Sequence, residues 1–158
     1  MHTFQIDHAF CRALEGEDDL GVVVRAHIHI ESKLINFINE KLTDLKTLNR
    51  LRYSQRVELA CELGLNSEMK EPLKALGEIR NNFAHKINAQ LNNQNIDKFI
   101  KVHDSKTQNL FQSAYVSSGS NMLKDCPKFV NLSPKDKFVI IVVILKARAE
   151  FELIKEKL

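Results

Sequence analysis

Apolar side chains recur along this chain at intervals of three and four, the spacing that gathers residues on one side of a helix. Phe4, Ile6, Ala9, Phe10 and Leu14 give residues 1–16 such a side, and Gly16 followed by Glu17, Asp18 and Asp19 marks a stop and a fresh N-cap. Between Leu20 and Leu42 the apolar arc is unusually wide. Arg25, His29, Ser32, Lys33, Asn36, Asn39 and Glu40 share one narrow polar strip, which predicts a helix packed on two sides and therefore central. Ser54 is expected to cap a helix through Leu63, ended by Gly64, and Asn66 or Ser67 to cap the next. In that next helix, over 67–87, Leu73, Leu76, Ile79, Phe83 and Ile87 form the core stripe. Ile96, Phe99, Ile100 and His103 predict a short helix over 95–103. Ser133-Pro134-Lys135-Asp136 is a strong helix start, so the apolar run Phe138–Leu145 reads as part of one long buried helix to the C-terminus. Residues 104–132 are rich in Ser, Asn, Gln and Lys and weakly patterned, a long segment pinned by Phe111, Tyr115, Met122 and Phe129.

The pattern predicts an all-α fold of about six helices, and composition agrees. The chain has 158 residues, 44% hydrophobic, enough for one domain (1–158) with a proper core. Only 7% is aromatic, Trp is absent, and five Gly and three Pro are too few for a turn-rich sandwich or barrel. A net charge of +3 allows nucleic-acid binding without demanding it. Cys11, Cys61 and Cys126 are odd in number and widely spaced, as reduced thiols would be. With no signal-peptide pattern and no bilayer-length apolar run, the expectation is a cytoplasmic protein off the membrane. No cofactor and no metal are expected. His27 and His29, two apart on a helix, diverge too far to share an ion.

A few residues disturb the apolar faces. His27 and Glu31, one turn apart, interrupt the wide arc of the central helix, while Arg80 lies beside the stripe of 67–87 and points inward. A buried guanidinium needs a partner. Glu31 and Arg80 are therefore expected to pair, with His27 as a third member, and deleting one partner should cost roughly 3–5 kcal/mol. Lys46, Arg50, Arg52 and Arg56 follow one another without an intervening acid, around Tyr53. That stretch is either a solvated connection or a nucleic-acid patch that grips phosphates. A helix-turn-helix around Ala60-x3-Gly64 is disfavoured, because Glu68 and Glu71 would face phosphates and Pro72 stiffens the reading helix.

Arg80-Asn81-Asn82-Phe83-Ala84-His85 has the Arg-x4-His spacing, with a polar residue directly after the Arg, of HEPN-type ribonucleases, which it resembles. The chemistry suits the residues. An imidazole can accept the 2′-hydroxyl proton, and a guanidinium with Asn81 beside it can stabilise the phosphorane charge without a metal. Residues five apart on a continuous helix point about 140° away from each other. One phosphate would then take Arg80 from one chain and His85 from another, the composite two-fold site that the resemblance implies. The competing reading is structural, with Arg80 consumed by Glu31 and His85 finishing the helix.

From about Asp18 onward the chain also resembles the mannitol operon repressors, a family of bacterial all-helical proteins. The similar parts are AHIHIESKLINFI, RVELACELGL, LGEIRNNFAHKI and the final SPKDKFVIIVVILKARAEFEL, in that order. The resemblance implies a helical domain, a homodimer, and negative regulation of transcription through a protein partner such as another transcription regulator. The leading expectation is therefore a regulator acting by protein–protein contact. Endoribonuclease activity through Arg80, Asn81 and His85 stands second, and direct DNA binding through Lys46–Arg56 third.

Overall fold

The computed structural model describes residues 5–43 and 45–155, residue 45 by its backbone alone. Phe4, expected on the first apolar side, lies outside the described residues. Within them every regular element is helical, as the periodicity predicts.

Asp7 accepts a hydrogen bond from the Phe10 amide and starts α1 (His8–Glu15). Asp18 does the same for Gly21, at 2.7 Å, and starts α2 (Asp19–Lys41). Then come α3 (Leu45–Arg50) and α4 (Tyr53–Glu62), which Gly64, with φ of 110°, terminates. A 3₁₀ turn over Ser67–Met69, capped by Asn66, leads into α5 (Lys70–His85). After it lie α6 (Asn93–Lys101), α7 (Ser105–Gln108), α8 (Phe111–Ser117) and α9 (Pro134–Lys155). Among the described residues nine α-helices stand where about six were expected, because the Lys46–Arg56 and 104–132 stretches each hold short ones. In the latter, Phe111, Tyr115 and Phe129 are buried, and Gln112 clamps the Phe129 amide and the Pro127 carbonyl.

The central position expected for residues 20–42 holds: α2 packs on α9, α4, α5 and α1. The wide apolar arc is the cause, since Val22, Val23, Ala26, Ile30, Leu34, Phe37 and Ile38 are all buried. Helix α9 is buried on every side from Phe138 to Ala149, Lys146 and Arg148 included. Each buried cation has partners. Lys146 meets Asp7 at 2.8 Å and Glu150 at 2.5 Å, and Arg148 meets Asp104 and Thr107, both at 3.0 Å. No helix among the described residues is long and apolar enough to cross a membrane.

Helices α2 and α5 run antiparallel. The Leu91 amide, beyond the end of α5, donates to Asp19 at the start of α2, while Tyr53, at the start of α4, donates its hydroxyl proton to the Leu73 carbonyl at 2.7 Å. Helix α4 in turn runs back along the first half of α5, where Glu58 pairs with Lys70 and Lys74. It therefore covers α5 as far as Gly77 and no further. Past that point Phe83 stays buried, but the side of α5 that carries Arg80 is left without α4 above it.

Candidate functional site

The gap left at the start of α4 is a cleft of about 640 Å³ between α2, α4 and α5. Its position follows from one close approach. A methyl group on Gly77 would lie 2.7 Å from two ring carbons of Tyr53, so only glycine lets the ring settle against α5. The seated ring then packs on His27, centroids 4.4 Å apart, and burial, then the charge of Glu31, holds its hydroxyl far above the usual phenol range.

Glu31 closes the inner end. It stands between two partners: its Oε1 accepts from Arg56 at 2.5 Å and its Oε2 lies 3.3 Å from Nδ1 of His27. Arg56 is fixed further by donating to the Leu48 carbonyl through Nε and a terminal nitrogen. The inward arginine is thus Arg56, and the expected Glu31–Arg80 pair is not made. Arg80 is exposed and donates to its neighbour Asn81 at 3.3 Å. His27 does join Glu31, as expected. Its pKa is held down by burial and, more weakly, by the charge of Arg80, against the opposing pull of Glu31.

Arg80 and Asn81 nonetheless line the same cleft, with Arg52, Arg56 and Lys74. Four cationic side chains face it against two carboxylates, Glu31 and Glu78, so an anion is its natural ligand. Arg56 and Lys74 are engaged by Glu31 and Glu58, and Glu78 pairs with Lys98 at 3.8 Å. That leaves Arg52 and Arg80 as the two guanidiniums of the cleft without a carboxylate partner among the described residues. The basic stretch is accordingly divided. Arg52 and Arg56 reach the cleft, while Lys46 and Arg50, both exposed, do not line it. Tyr53 is not a stacking platform, because its ring is spent on His27 and Gly77.

His85 is the last residue of α5, exposed, and outside the cleft. The helix does not end at Ala84, so Arg80 and His85 diverge as the spacing predicts. Ile87, expected in the core stripe, follows the helix and is fully exposed. Among the described residues no group of three or more His, Cys, Asp or Glu side chains is arranged to hold a metal ion.

Sequence reasoning passed over Lys74 and Gly77, and named Arg56 for phosphates or solvent without seeing it as the partner of Glu31. For Arg56 a signal was present. It lies one position before buried Val57 and four before buried Ala60, on the inner side of α4, a place that suits an internal acid better than either solvent or a phosphate. Comparisons with protein-family models, with curated proteins and with solved structures return no match for this chain.

Proposed function

We propose that the domain is a metal-independent endoribonuclease whose electrophilic group is Arg80, assisted by Asn81. One observation carries this reading. Arg80 is not consumed by an internal acid and opens, with Asn81 and Arg52, onto a cation-rich cleft. The structural explanation of the Arg-x4-His motif required Glu31 to bind Arg80, and Glu31 is held by Arg56 instead. A guanidinium at the rim can grip a phosphodiester in the ground state and take up the added charge of the phosphorane. In the motif's own terms the proton acceptor is His85, which points about 140° from Arg80 and would reach the same phosphate only from a second copy.

The test is cleavage of single-stranded and hairpin RNA in EDTA, with product ends identified as 2′,3′-cyclic phosphates. Arg80→Ala should slow cleavage roughly 100- to 1000-fold, and its thermal unfolding should match wild type because the side chain is exposed. Wild-type protein that cleaves neither RNA ends the proposal.

A second reading, a cytoplasmic regulator resembling mannitol operon repressors and working through protein contacts, draws on a different surface. Leu20, Val24 and Ile28, at 52%, 37% and 60% exposure, repeat every fourth residue along one side of α2. Such a stripe on a central helix suits a partner or a second copy. Affinity capture with wild type and with Ile28→Asp addresses it. A partner held by wild type and lost by the variant supports the reading, and equal recovery by both removes its basis.

A further inference from the structure

We propose that His27, rather than His85, is the base that accepts the 2′-hydroxyl proton, in the same chain and the same cleft as Arg80. The proposal rests on the ribonuclease reading above and names a residue that the Arg-x4-His motif does not contain. His27 lines the cleft with Arg80 and Asn81, whereas His85 does not. Its ring is only 6% exposed, and Glu31 occupies the Nδ1 side. Nε2 is left without a hydrogen-bond partner among the described residues, and the residue lines a cation-rich cleft. A carboxylate on one ring nitrogen fixes the tautomer and orientation of the imidazole and stabilises the imidazolium once a proton arrives. That carboxylate cannot swing away, because Arg56 holds its other oxygen.

The remaining charged and titratable groups around the ring fit the role. Burial, with the charge of Arg80 acting the same way, keeps the imidazole neutral at pH 7 and ready to accept, while Glu31 opposes them. Tyr53 cannot compete as a base, since its proton is bonded to the Leu73 carbonyl. Lys74 is occupied by Glu58. The step balances without a co-reactant. The proton of the 2′-hydroxyl passes to Nε2, and the 2′-oxygen forms a bond to phosphorus. The bond from phosphorus to the 5′-oxygen breaks, that oxygen takes a proton from water, and the hydroxide so formed takes the proton held by His27, leaving a 2′,3′-cyclic phosphate, a 5′-hydroxyl and a neutral imidazole.

The experiment is a pH–rate profile on a fluorogenic single-stranded RNA oligonucleotide for wild type, His27→Gln, His85→Ala and Glu31→Gln, each checked for fold by circular dichroism. His27→Gln should lose about 100-fold or more in kcat with KM within about threefold, and His85→Ala should stay within about threefold of wild type. Glu31→Gln should move the acid limb of the profile to lower pH, because the group that raises the His27 pKa is gone. Should His27→Gln fail to fold, the Glu31→Gln profile decides, and an unmoved acid limb overturns the proposal. Activity lost in His85→Ala, whether or not His27→Gln is also impaired, overturns it while leaving the ribonuclease reading in place. Absence of cleavage by wild type removes both.

Discussion

His27 and His103 sit in two regions built from the same parts. Each ring is buried, at 6% and 3% exposure, beside a carboxylate and an arginine. Around His103 the assembly is shut. Its Nδ1 donates to the Phe99 carbonyl at 2.8 Å, its ring lies between Phe99 and Phe111, and the neighbouring Arg148 is locked onto Asp104 and Thr107. Around His27 the assembly opens onto a cleft, and Arg80 and Asn81 face solvent across it. A depressed pKa is common to both, so it does not tell a packing histidine from a reactive one. Access does.

The comparison breaks most visibly in the closed region. Arg148→Ala takes the cation from Asp104, leaving it only its Thr107 hydrogen bonds, and should cost about 3–5 kcal/mol, read as a lower urea midpoint. RNA cleavage by the folded fraction should be untouched, and a variant as stable as wild type would mean the cluster is not shut. His103 gives the next effect. Burial pushes its pKa down to about 4, so between about pH 6.5 and 4 the unfolded chain binds a proton there that the folded chain does not. Stability should therefore fall as the pH drops through that window, by about 3 kcal/mol, and His103→Leu should flatten that part of the curve.

On the open side the costs are smaller. Glu31→Gln loosens Arg56 and His27 at a partly solvated site, and about 1–2 kcal/mol is expected from urea unfolding. Gly77→Ala drives a methyl into the Tyr53 ring and should cost about 1–3 kcal/mol, with altered near-ultraviolet dichroism from the displaced tyrosine. At the far end of α5, His85→Ala should move stability by less than about 0.5 kcal/mol. A larger loss would give that side chain a structural partner.

The long helices were legible because their signals are local. Asp18 and Ser133 cap α2 and α9 as the sequence suggests, and the thin polar strip of α2 foretold its central place. The site was half legible. The internal acid and its histidine were found, but the arginine was misassigned for a geometric reason. Arg80 lies between Leu73 and Leu76 around the helix, so periodicity turns it inward. Periodicity gives a direction and says nothing of how far a neighbouring helix extends. Helix α4 begins at Tyr53, opposite Gly77, and one turn later Arg80 meets the cleft rather than a neighbouring helix. Ile87 fails on the same axis, since its stripe continues on paper after the helix has stopped at His85.

The first helix behaves as a stopper. Asp7 reaches Lys146 in the middle of α9, Phe10 lies under the same ammonium, and His8 donates to the Ser118 carbonyl. Trimming the chain back to Asp18 would therefore uncork the most apolar helix of the molecule and strip a sunken cation of one counter-ion. A shortened version made for convenience should be expected to clump, and a tag is better carried at the other end.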